Sequence, residues 1–155
     1  MKSLTYIGNY TFTNTNSSFK IYRLPKKVVS CSEAAFTKGI PLENELKTLI
    51  LKTSNGLCTV NTRGDNKISL RKIKNFLNVK EAFLLSKFEL AKMNLKPGCV
   101  CPFMEQLWSL PLLIDEKVLE LSFLSTNAGS REKCIFFSPN KLLLSPIHIT
   151  NNFSK

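Results

Sequence analysis

The sequence predicts a mixed α/β (α+β) domain, a partly barrel-like β-sheet flanked by short helices. Apolar runs at Leu46–Leu51 and Leu57–Val60 read as strands, joined through Ser54-Asn55-Gly56, a hairpin signal. Between Ser69 and Leu77, Leu70, Ile73, Phe76 and Leu77 recur at helical spacing, with Arg71, Lys72 and Lys74 outside that stripe. Several links between strands are too short for a helical crossover, so the sheet cannot be all-parallel.

The other elements follow in chain order. Thr11–Ser18 is a polar loop between short strands near Tyr6–Tyr10 and Phe19–Arg23. Ser30 with Glu33 is a capping-box pattern that opens a helix running to about Lys38, which Gly39 ends. Pro41 starts a helical turn with Glu43 and Glu45 near its positive end. Phe88–Met93 is a second short helix, and Leu95–Phe103 is a loop punctuated by Pro97, Gly98 and Pro102. Leu112–Ile114, Leu121–Ser125 and Cys134–Phe137 are strands, and Pro139–Leu144 is a short terminal helix. Residues 1–155 form one domain with its core at 28–144, and the polar residues 145–155 read as a flexible tail.

The chain has 155 residues, 43% of them hydrophobic, enough for a core without staples. No apolar run approaches the roughly 18 residues of a membrane span. Met1–Tyr10 has no apolar core and no small-residue cleavage site, so it is not a secretory leader. Cys31, Cys58, Cys99, Cys101 and Cys134 make an odd count, expected as reduced thiols of a cytoplasmic protein. Cys99 and Cys101 are spaced too closely for a zinc knuckle, and no second pair completes one, so no metal is expected.

The net charge is +11. Between Arg63 and Lys96 nine basic residues face three acids, Asp65, Glu81 and Glu89. A localised excess suits a phosphate backbone better than a uniform coat for solubility, so Arg63, Lys67, Arg71, Lys72 and Lys74 are candidate nucleic-acid contacts. A plain solvated face is the alternative.

Ordinary catalytic constellations are missing. His148 is the single histidine and lies in the C-terminal segment, and no P-loop or dinucleotide glycine motif is present. What remains is Lys47 on an apolar strand and the loop at Gly98. Spacing alone favours a lysine that snorkels to solvent and a loop that is only a turn.

Six segments add to this reading: Ser32-Glu33-Ala34-Ala35, Gly39-Ile40-Pro41, Lys47-Thr48-Leu49, Pro97-Gly98-Cys99-Val100-Cys101-Pro102-Phe103, Leu113-Ile114-Asp115-Glu116 and Asn127-Ala128-Gly129. In that order and spacing, from about Val28 to Leu144, the chain resembles the YbaK and prolyl-tRNA-synthetase-associated editing family. The resemblance implies a mixed-sheet domain that hydrolyses the ester between a wrong amino acid and the terminal adenosine of tRNA. It implies no cofactor, tRNA as partner, and an aminoacyl-tRNA synthetase as a candidate second partner. Lys47 would hold the substrate's 3′ end and Gly98 would offer backbone groups to the aminoacyl moiety. Thr48, Cys99, Val100, Cys101 and Pro102 would line the substrate site, and Asn127, Ala128 and Gly129 would close it. The chain departs from the family pattern at Met104, where glycine is usual, at Asn127, where serine occurs, and at Cys134, where aspartate occurs. A tRNA-binding module that has lost the reaction is therefore a second reading, and general RNA binding by the basic face is a third. Cys101 has no base beside it and reads as a wall residue rather than a nucleophile. Trp108 and Phe103 are read as core packing or, alternatively, as stacking partners for the adenine.

Overall fold

The computed structural model describes residues 4–155; the expectation about Met1–Tyr10 rests in part on residues 1–3, outside that range. Among the described residues, nine strands form two sheets. They are β1 (Thr5–Thr11), β2 (Ser18–Arg23), β3 (Leu46–Thr53), β4 (Gly56–Arg63), β5 (Ala82–Leu84), β6 (Leu112–Asp115), β7 (Leu124–Asn127), β8 (Lys133–Phe137) and β9 (His148–Asn151). The helices are α1 (Cys31–Lys38), α2 (Leu70–Leu77), α3 (Lys87–Lys92) and α4 (Glu105–Trp108). Three 3-10 turns, Leu42–Asn44, Glu116–Glu120 and Pro139–Leu144, complete the set.

One sheet has the order β1-β2-β8-β7 and is antiparallel throughout. The other, β5-β3-β4-β6-β9, is mixed, because β6 runs parallel to β4 and β9 parallel to β6. The sheets meet at β3 and β7, where Glu45 forms a parallel bridge with Ser125 and Thr126 Oγ1 donates to Leu46 O. That junction gives the expected mixed and partly barrel-like architecture.

Local signals act as their chemistry requires. Ser30 accepts from the Glu33 N–H at 3.1 Å, and Gly39 ends α1 at φ 72°. Ser69 caps α2, and Asn78 closes it in the left-handed conformation. The reciprocal capping box is formed at Ser86 and Glu89 on α3. A core between the sheets gathers Phe12, Phe19, Leu46, Phe103, Trp108, Leu124, Ile135 and Phe137. Trp108 stacks on Phe103 at 5.3 Å inside this core, so neither ring is available to an adenine.

The C-terminal segment is the main correction. Residues 145–155 were expected to fray, but β9 pairs with β6 and Phe153 is fully buried against Leu51, Val60, Ile73 and Leu113. The Phe153 N–H donates to Asp115 Oδ1 at 2.8 Å, and its carbonyl accepts from the Ser69 N–H at 2.8 Å. Lys72 Nζ donates to Ser154 O at 2.7 Å. One aromatic anchor and three long-range hydrogen bonds outweigh the polar composition of the segment. Among the described residues, no helix is long and apolar enough to cross a membrane.

Candidate active site

Lys47 and the Gly98 bend, 51 positions apart by their numbers, line one cavity of about 350 Å³. Its walls come from α1 and the segment before it, the first half of β3, the end of β5 with Leu85, Leu90 of α3, the 97–100 loop, the end of β7, the loop after it and the start of β8. This half of β3 is free for such a role because β5 pairs only with Leu51–Thr53.

Gly98 has φ +78°, a conformation that L side chains rarely adopt. The bend is clasped from β7 and the loop after it. Arg131 Nη2 donates to Pro97 O at 3.0 Å, and Asn127 Nδ2 donates to Val100 O at 2.9 Å. Gly98→Ala is expected to cost about 1–2 kcal/mol through backbone strain. For a chain of this size that is a melting-temperature drop of about 4 °C, read by thermal denaturation.

Most of the remaining lining is apolar, including Leu24, Leu46, Leu49, Ile50, Leu85 and Leu90, and a buried ion pair is set among it. Lys38 is 1% exposed and its ammonium donates to Glu45 Oε1 and, at 2.8 Å, to Ser125 Oγ. Burial pushes the Glu45 carboxyl above the usual carboxylate range, and the Lys38 ammonium partly offsets this. Close packing holds Glu45 in place. The Gly64 N–H donates to Glu45 O at 2.6 Å, and a Cβ at Gly64 would sit 2.8 Å from Leu42 O and 3.0 Å from Glu45 Cβ. Only glycine fits there. Cys31 and Cys134 also line the cavity; burial raises both thiols, Cys134 to about 11. Among the described residues, no group of three His, Cys, Asp or Glu side chains is placed to hold a metal ion.

The family model of the aminoacyl-tRNA editing domain matches residues 25–143, most of the chain. The chain belongs to that family. The fold of this editing domain is shared with solved structures of low sequence identity. A scaffold protein used for epitope backbone grafting has TM-score 0.80 and 21% identity, covering 88% of this chain and 87% of that one. A proposed trans-editing enzyme for prolyl tRNA synthetase has TM-score 0.79 and 20% identity, covering 88% and 87%. A hypothetical protein has TM-score 0.79 and 20% identity, covering 88% and 91%. No curated protein matches the chain significantly.

The residues singled out in the sequence separate into groups in the editing domain. Lys47, Thr48, Gly98, Val100 and Asn127 line the cavity together. The Lys47 ammonium donates to Asn66 O at 2.6 Å, and Asn66 is not among the residues that line the cavity. Thr48 Oγ1 donates to Asn61 Oδ1 at 2.7 Å, which braces β3 against β4. Cys99, Cys101 and Pro102 are buried outside the cavity wall. Cys101 is sealed in the main core and burial pushes its thiol up to about 12, which removes it as a nucleophile. Ala128 and Gly129 line a different cavity, with Tyr10, Phe12 and Met104.

The basic face is also divided. Arg63 is held by Asp65, with contacts at 2.9 and 2.5 Å, and lies 3.3 Å from Glu43. Lys72 is tied to the C-terminal segment. Lys67, Arg71 and Lys74 make no ion pair among the described residues. None of the five lines the cavity.

Sequence reasoning missed Lys38, Glu45, Ser125 and Arg131. Lys38 had a signal: it stands three and four positions after Ala35 and Ala34, on the one face of α1 that is buried. Arg131 and Ser125 had none, because their partners lie far away in the chain.

Proposed function

We propose that this editing domain is a trans-acting aminoacyl-tRNA deacylase that hydrolyses the ester of a small mischarged amino acid without a cofactor. The observation that carries the reading is the cavity in which Lys47 and the strained Gly98 bend share one wall system. An aminoacyl ester is already activated, so positioning and a few fixed donors suffice. Water adds to the ester carbonyl, and backbone N–H groups of the bend hold the oxygen that gains charge. The carbon–oxygen bond to the ribose then breaks and the ribose oxygen takes the proton, releasing the free amino acid and an intact tRNA 3′ end. The substrate's own amine or the neighbouring ribose hydroxyl carries that proton, since no histidine lines the cavity. Lys47 offers a point charge with two N–H donors beyond the one given to Asn66.

Lys67, Arg71 and Lys74 are free to meet phosphates on the RNA outside the cavity. The test is a panel of mischarged tRNAs followed for ester loss. Selective loss supports the deacylase. Binding without loss supports a module that kept the fold and not the reaction. Equal binding of any RNA supports a general RNA binder. Replacing Lys67, Arg71 and Lys74 together by alanine is expected to lower the slope of log affinity against log salt by about 3, one unit per phosphate contact. An unchanged slope would remove these side chains from the interface.

A further inference from the structure

A buried part of the cavity wall is ionic, set beside apolar neighbours such as Leu46 and Ile50 that are equally buried. Lys38 is 1% exposed and Glu45 3%, whereas Gly98 is exposed. Lys38 Nζ donates to Glu45 Oε1 and to Ser125 Oγ, and Ser125 Oγ donates onward to Ile135 O at 2.8 Å. Glu45 Oε2 makes no hydrogen bond among the described residues. Nor is it one of the sealed, unpartnered atoms of the fold, which are Thr37 Oγ1, Asn66 Nδ2, Asp115 Oδ2, Ser145 Oγ and Ser154 Oγ. It therefore borders open space, and the open space beside Glu45 is the cavity.

The contrast between an exposed Gly98 and a buried ion pair decides which part of a substrate meets the pair. On the deacylase reading the RNA stays outside, which puts the ester at the exposed Gly98 end. The carbonyl and the α-amino group lie within two bonds of the ester oxygen or its carbon and remain near that end. Only the side chain extends inward.

We propose that the buried Lys38–Glu45 pair on its wall makes the cavity selective for a small aminoacyl side chain bearing a hydroxyl, over an apolar side chain of the same size. The proposal rests on the deacylase reading above. A hydroxyl donates to Glu45 Oε2 and accepts from the remaining N–H of Lys38. An ethyl or methyl group does neither, and it displaces water from the carboxylate without replacing its hydrogen bonds. Sites built to pair a substrate hydroxyl reject the analogue that lacks it far more strongly than apolar pockets sort by a methylene.

The experiment uses the full chain and one tRNA charged with serine, threonine, alanine or 2-aminobutyrate, the last an apolar match to serine in size. Seryl ester is expected to be lost at least about 100-fold faster than 2-aminobutyryl ester, as kcat/KM. Similar rates for those two would overturn the selectivity and leave the deacylase reading intact. Loss of no ester would overturn both. A second arm replaces the pair by apolar groups of similar volume, Lys38→Met with Glu45→Leu. Where its circular dichroism matches the parent, the preference is expected to move to 2-aminobutyryl and alanyl esters. A folded double variant that keeps the seryl preference would also overturn the proposal.

Discussion

Replacing Lys47 by alanine is expected to slow ester loss, as kcat/KM, by about 10- to 100-fold, the scale of losing one charge-assisted hydrogen bond to the substrate's 3′ end. The side chain is half-buried on β3, beside the cavity, and a single hydrogen bond to Asn66 O holds it. That carbonyl lies in a turn and regains water when the lysine is removed, so the fold is expected to persist. Single-turnover deacylation and a thermal melt on the same preparation separate the two effects. Lys47→Met serves as a control that keeps the packed stem and removes only the charge. Near-normal turnover in both variants, with unchanged melts, would remove Lys47 from the chemistry.

Lys38→Met is expected to destabilise the fold by about 3–5 kcal/mol near neutral pH, because it leaves a buried carboxylate without its partner. The pair is shielded from solvent, with side-chain exposures of 2% and 5%. In the wild-type fold burial already raises Glu45, with Lys38 as the opposing influence. Removing the ammonium raises it further. A carboxyl whose folded pKa lies above its unfolded value binds a proton more readily in the folded state. Its contribution is therefore intact below the ordinary value of 4.5 and is lost as pH rises through the folded pKa. The deficit of Lys38→Met should accordingly shrink as pH falls toward 4.5 and grow toward neutrality. Adding Glu45→Leu is expected to recover most of the loss, since a well-packed apolar pair replaces a buried ion pair at little cost. Urea melts of the single and double variants at acid and neutral pH would measure this. An additive double variant would mean that the two charges do not act as a pair.

Local chemistry explains most of what could be read in advance. The Ser30 cap, the Gly39 terminus and the Ser54–Gly56 hairpin act within a few residues, and each forms as its residues require. The apolar spacing of α2 is likewise local, although Phe76 is half-exposed and packs edge-on against Phe153 at 5.4 Å. The three-residue strand β5 and the four-residue helix α4 gave no periodic signal because neither is long enough to show a period. The C-terminal segment misled for a different reason. Its composition is polar, but its order comes from one aromatic side chain and from hydrogen bonds to residues about 40 to 85 positions earlier.

The sequence by itself determined the family, the helix caps, the β3–β4 hairpin and the two chain segments, around Lys47 and around Gly98, that meet in the cavity. Those features rest on residue type and short-range spacing. Only the tertiary structure decided that the lysine at 47 is tethered to Asn66, that Cys101 is sealed in the core, and that Lys38 and Glu45 form a buried ion pair on the cavity wall. Each of these depends on the approach of β3, β7 and α1 in space, and burial sets the charge state of a side chain by what surrounds it, not by its place in the chain.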